Sequence, residues 1–229
     1  MKKFSSLVHS IKQRQPGPDT INWNVKQRDT YLEFCSSEEA QQWGEKYYST
    51  WATYYHYTMD SVKERKRGVS TYPVEYYCGN GYTHVNKYLR GESVSYCGQK
   101  DAETIATVLP IVLCSAPRIP ENIVVYRAVP NSFVTRMKED NKKRLPLQEK
   151  GFLSTSMTKE IVKNSEFSYY GDYLLKIFIP KEAVGIYVNS VTRRTENEIL
   201  LMSGCYLGMA SHPFYDASVN KQIIECLLL

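Results

Sequence analysis

Residues 151–160 read GFLSTSMTKE. A short apolar run passes directly into three hydroxyl residues, Ser154, Thr155 and Ser156, and then into Met157. Hydroxyls in series can cap a helix or lie on the wet face of a strand, so the run means chemistry only if partners exist elsewhere. Its surroundings are strand-like: ENIVVYRAV (121–129), DYLLKIFIP (172–180), AVGIYVNSV (183–191), ENEILLMSG (196–204) and NKQIIECLLL (220–229) are apolar or β-branched runs separated by turn residues.

The first half of the chain has a different texture. SSEEAQQWGEKYYSTWATYYHY, from Ser36, opens with cap-like serines and early glutamates and then repeats aromatics at helical spacing. KDAETIATVLPIVLCSA predicts a second helix opening at Asp101 and ending before Pro117. Between them, EYYCGNGYTHVNKYLRGE predicts a flexible approach at Gly79 and Gly81, followed by a short helix from Tyr82 to Leu89. Helices first (30–117) and strands after (120–229) indicate an α+β domain, not alternating βαβ units. Residues 1–19, basic and closed by QPGPD, read as a loose leader ahead of one domain spanning 20–229. GNGYTH lacks the third glycine of a Rossmann fingerprint and follows no convincing strand.

The chain has 229 residues, 42% of them hydrophobic, which is ample for a buried core. Its net charge of +5 favours anionic partners but falls short of the basic stripe of a dedicated nucleic-acid binder. Six cysteines show neither a CxxC pair nor zinc spacing, and read as reduced thiols; no metal site is expected. The N-terminal stretch lacks the continuous apolar core of a recognisable signal peptide. The terminal Cys226-Leu227-Leu228-Leu229 allows two readings, a prenylated membrane anchor or the buried end of a strand.

Three features share the strand-rich half: Arg127, the run Ser154-Thr155-Ser156, and Glu196 with Glu198. On a strand, residues two apart face the same way, so the two carboxylates would lie side by side, an arrangement that costs energy unless it is used. Each feature alone has a plainer explanation: a surface arginine, a polar strand face, an edge ladder of salt bridges.

Together and in this order, the motifs resemble those of the mono-ADP-ribosyltransferase toxins with the arginine, Ser-Thr-Ser, Glu-x-Glu signature, particularly the actin-modifying binary toxins. YCGNGYTHVN (77–86), followed by YLRG, is similar to that family's helical signature; PENIVVYR, GFLSTSM and IFIPKEAVGIYV leading to ENEILL are similar to its strands. The resemblance spans roughly residues 30 to 229 and implies helices packed on two small, roughly perpendicular sheets with an NAD cleft between.

By that resemblance, Arg127 anchors NAD phosphates, Glu198 bonds the ribose 2′-hydroxyl and stabilises the cationic transition state, Ser154 orients Glu198, and Glu196 faces the acceptor. Glutamate rather than glutamine at position 196 favours arginine as acceptor. Thr155 and Ser156 shape the pocket floor, Tyr77, Tyr82 and Asn86 face NAD from the helical side, with core packing the alternative for the tyrosines. Phe167, in the loop from Lys159 to Tyr170, would cover the nicotinamide ring or be a plain loop aromatic. Arg193 and Arg194, in the loop from Asn189 to Thr195, would meet an acidic patch on a host protein, actin being one candidate. Ala128 stands where several relatives carry a second arginine, which unsettles detailed NAD contacts there.

The implied function is transfer of ADP-ribose from NAD to a protein by a secreted or injected virulence effector acting in a host cytosol, with room for a translocation subunit or activator. The alternatives are an NAD glycohydrolase, a nucleic-acid ADP-ribosyltransferase, and a catalytically silent adaptor module, against which the intact Arg127, Ser154, Glu196 and Glu198 argue.

Overall fold

The computed structural model describes residues 25–65, 72–160, 171–192 and 196–229. The expected leader, residues 1–19, lies outside them. The helical half and the strand half follow in the expected order.

The first long helix, Ser37–Arg65, starts where the cap-like serines place it. Ser36 Oγ accepts the Glu39 N–H at 3.2 Å, and Glu39 Oε2 accepts the Cys35 N–H at 2.9 Å, a near-reciprocal cap on otherwise orphaned donors. Its inward face carries Ala40, Trp43, Tyr48, Ala52 and Tyr55, all buried.

The loose approach expected at Gly79 and Gly81 is instead a wound π-type turn, Tyr77–Gly81, kinked where Gly79 leaves helical geometry at φ −76°, ψ −128°. A Cβ at Gly81 would stand 2.2 Å from the Tyr76 ring, so only glycine permits the winding. The helix Tyr82–Arg90 follows and ends at Gly91, whose φ of 74° allows a left-handed cap. The next helix, Tyr96–Ser115, begins five residues before the expected Asp101, with Ser95 at the capping position and Gly98 N–H bonded to its carbonyl at 2.9 Å.

The nine strands are β1 Ile123–Val129, β2 Leu147–Glu149, β3 Leu153–Ser156, β4 Tyr173–Ile179, β5 Gly185–Tyr187, β6 Glu198–Leu201, β7 Cys205–Met209, β8 Phe214–Asp216 and β9 Lys221–Leu228. They form one hydrogen-bonded network, β2-β7-β9-β4-β1-β3-β6-β5, with β8 against β9, where two separate sheets were expected. The seam explains the difference. β1 and β3 share a single register pair, Tyr126 with Ser156, while β1 pairs with β4 along its whole length.

Alternation on β1 separates two cores. Ile123, Val125 and Val129 join the main core under the helices; Val124 and Tyr126 join a smaller one with Phe178, Phe214 and Ile223 on the other face. Arg127 has the same parity as the helix-facing set, which aims it into the molecule. Cys226 is fully buried in β9, with Sγ 3.8 Å from Met137 Sδ. Among the described residues, no helix is long and apolar enough to cross a membrane.

Candidate active site

The order β1-β3-β6 brings Arg127, Ser154 and Glu198 onto three successive strands at the seam. They line a cleft of about 780 Å³ whose opposite wall is the π-turn and the helix Tyr82–Arg90. This volume lies within the roughly 300–1,000 Å³ of small-molecule sites.

Glu198 is 4% exposed. Its Oε1 accepts the Ser154 hydroxyl at 2.5 Å, and its own N–H donates to Asn189 Oδ1 at 3.2 Å. A charge-assisted bond of that kind fixes a buried carboxylate. One Arg127 nitrogen donates to the Ser154 carbonyl at 2.5 Å, across the seam. Arg127 Nε is buried with no protein partner, an unspent donor suited to an anionic group.

The three hydroxyls divide their work. Thr155 Oγ1 donates to the Ile199 carbonyl at 2.8 Å, within the sheet. Ser156 Oγ ties down the turn after β3, donating to Thr158 O at 3.0 Å and reaching Glu196 O at 3.4 Å. Ser154 reaches the Glu198 carboxylate.

Glu196 also lines the cleft, but not from the strand face that simple alternation predicts. β6 begins at Glu198, and Asn197 between them has φ 47°, so the extended geometry behind the two-apart rule does not reach Glu196. Tyr77 and Asn86 border the cleft with their polar atoms engaged in the protein. Asn86 Oδ1 accepts Phe152 N–H at 2.9 Å, its Nδ2 donates to Tyr77 OH at 2.9 Å, and Tyr77 OH donates to Phe152 O at 3.2 Å. They clamp the helical wall to the segment feeding β3; burial pushes the Tyr77 phenol upward, against the opposing charge of Arg127. A Cβ at Gly151 would stand 2.7 Å from Asn86 Oδ1, which accounts for glycine there. Tyr82 and Ala128 line the cleft, Tyr82 half exposed. Phe167, Arg193 and Arg194 lie outside the described residues.

Several cleft residues went unread in the sequence. Arg90 Nε donates to Glu149 Oε1 at 2.9 Å, and the same oxygen takes the Gly151 N–H at 2.8 Å, an ion pair with Glu149 fully buried. Phe133 and Arg136, on the helix Asn131–Lys142 after β1, form another wall, Arg136 lying 5.6 Å from the centre of the Phe133 ring. The buried Val134, Met137 and Asn141 of that helix, at helical spacing, were its available signal. Among the described residues no group of three ligating side chains could hold a metal.

Solved structures share this architecture. The ADP-ribosylating toxin BECa of a C. perfringens binary enterotoxin, solved with NADH, superposes at TM-score 0.64 with 22% identity over 84% of this chain and 48% of its own. The Clostridium limosum C3 exoenzyme superposes at 0.59 with 19% identity, covering 88% of this chain and 98% of its own. In sequence, the NAD(+)–arginine ADP-ribosyltransferases of Enterobacteria phages T2 and T6 are each 30% identical over 135 residues, 55% of this chain but 18% of theirs. The match thus spans less than a fifth of those phage proteins. The model of the ADP-ribosyltransferase exoenzyme family matches residues 40–227, and the chain belongs to that family.

Proposed function

We propose that the chain transfers ADP-ribose from NAD to an arginine side chain of a protein. The observation that carries this reading is the Ser154–Glu198 contact, set in a cleft that also holds the unspent Arg127 donor and Glu196. NAD here is a substrate. Its pyrophosphate suits the guanidinium fork of Arg127.

Chemically, the bond between ribose C1′ and the nicotinamide nitrogen breaks, and its electron pair leaves with nicotinamide. Positive charge develops on the ribose beside Glu198, which stabilises that state more than neutral ribose. A guanidino nitrogen of the acceptor attacks C1′ and gives its proton to Glu196, acting as general base. The parallel with glycoside cleavage is one of charge type.

The family membership, the phage relatives named as arginine-specific enzymes and glutamate at position 196 support arginine as the acceptor. The toxin structures support a host protein as target, reached after export or injection, and the net charge of +5 suits an acidic patch on it. The test is incubation with adenylate-labelled NAD and host lysate, followed by mass spectrometry of labelled bands. ADP-ribose on arginine is expected; label only in free ADP-ribose, or only in nuclease-sensitive material, would overturn the proposal.

A further inference from the structure

Between the two glutamates stands Asn197, 4% exposed and in the left-handed region at φ 47°. Asparagine is several-fold enriched there among residues with a side chain, and this one spends both ends of its amide. Tyr187, at the end of β5, donates its hydroxyl to Asn197 Oδ1 at 2.7 Å. Asn197 Nδ2 donates to the carbonyl of Ser37, the first residue of the long helix, at 3.0 Å.

Both partners are themselves fixed. Tyr187 is fully buried, and its ring packs so closely on the long helix that a Cβ at Gly44 would stand 2.3 Å from it. Along the same helix, Tyr48 OH donates to the Gly185 carbonyl at 3.3 Å, and His56 Nε2 lies 3.1 Å from the Val191 carbonyl. The helix therefore grips both β5 and the β5–β6 connection. The backbone of Asn197 also has a task, its carbonyl accepting the Met157 N–H at 2.9 Å just past β3.

Glu198 is held independently, by Ser154 and Asn189. Glu196 precedes the strand, and the sheet touches it through Ser156 Oγ, 3.4 Å from its carbonyl. We propose that Asn197 is the positioning residue that aims Glu196 at the acceptor, using the long helix as its reference frame, and so sets how far the enzyme favours arginine over water. This rests on the arginine-transfer reading. Transfer needs both carboxylates in register, whereas loss of NAD to water needs only the charge at Glu198, so loosening Asn197 changes the partition between the two reactions.

The experiment compares the parent with Asn197→Gly, which keeps access to positive φ but lacks the amide, and Tyr187→Phe, which keeps the ring but lacks the hydroxyl. For each, label transfer to agmatine and release of free ADP-ribose are measured together, with a melting curve as the check on folding. The expected result is a fall in the transfer-to-hydrolysis ratio of about tenfold or more for Asn197→Gly, and a smaller fall in the same direction for Tyr187→Phe. An unchanged ratio, both activities falling together, would assign Asn197 to stability alone and overturn the proposal. A crystal structure of Asn197→Gly decides the geometric claim without any activity: Glu196 turned from the cleft with the Ser154–Glu198 contact kept supports it, and Glu196 unmoved overturns it. If the parent transfers nothing to agmatine, the arginine reading fails separately, while the crystallographic result still rules on Asn197.

Discussion

Ser154 on β3 donates its hydroxyl to Oε1 of Glu198 on β6 at 2.5 Å, although the register partner of Glu198 is Ser156. The contact is therefore diagonal, reaching two residues along the neighbouring strand. Ser156, directly opposite, turns its hydroxyl to the Thr158 carbonyl instead. Two serines of one short strand thus hold the same region by different means.

Replacing Ser154 with alanine removes the diagonal bond that orients the carboxylate. We expect kcat for NAD consumption to fall by about 10²-fold, the typical result of misplacing a reacting group by an ångström, with KM nearly unchanged. Steady-state kinetics of the two proteins check this, and an equal rise in KM would place Ser154 in NAD binding instead.

Arg127→Lys keeps the charge and loses the fork. The ammonium reaches either the Ser154 carbonyl or an anionic ligand, but does not reproduce the planar pairing. Losing one charge-assisted hydrogen bond of about 1.5–3 kcal/mol predicts a drop in kcat/KM for NAD of roughly 10- to 100-fold. Titration with NAD, by calorimetry or tryptophan fluorescence, should show weaker binding to match.

Asn86→Ala should destabilise the fold, because it strips the Phe152 N–H and the Tyr77 hydroxyl of buried partners at once. Each orphaned buried group costs about 1–3 kcal/mol, so urea unfolding should show a lower midpoint with the slope unchanged. A parent-like midpoint would mean that the helical wall is fastened elsewhere.

The Glu33 carboxyl lies against Tyr126 of β1 and Lys176 of β4. Its partial burial would raise its pKa, but the hydrogen bond and charge of Lys176, at 2.5 Å, and the hydroxyl of Tyr126 outweigh this and hold it below the usual carboxylate range. A depressed folded-state pKa contributes stability that is complete above the unfolded value, about 4.3, and is lost as pH falls through the folded one. Acid unfolding of Glu33→Gln should thus be less steep below about pH 4.3 than that of the parent. Superimposable acid limbs would remove Glu33 from the explanation.

Much of the architecture was legible in the sequence, and the reasons are local. β1, β4, β6 and β9 are apolar runs bounded by turn residues, and the Ser36–Glu39 cap is written in adjacent letters. β7 and β8 were missed: CYLGM carries the exposed Tyr206 and a glycine, and FYD is three residues long, so neither alternates far enough to be seen. The ion pair Arg90–Glu149 was illegible for another reason. Its members are 59 positions apart and meet only when the short helix docks on β2. The single-pair seam between β1 and β3 likewise depends on register, which motif spacing does not encode. Glu196 shows both sides: its nearness to Glu198 was readable, but its departure from the strand depends on the φ of one asparagine.

In the proposed mechanism the Glu198 carboxylate stabilises a cationic ribose in this cleft. The most direct measurement is the rate at which Glu198→Gln, shown to be folded by circular dichroism and its melting curve, releases nicotinamide from NAD in the absence and presence of agmatine. Neutralising the charge while keeping the shape should lower both rates by about 10³-fold. Nicotinamide release at the parental rate from a folded Glu198→Gln protein would contradict the account.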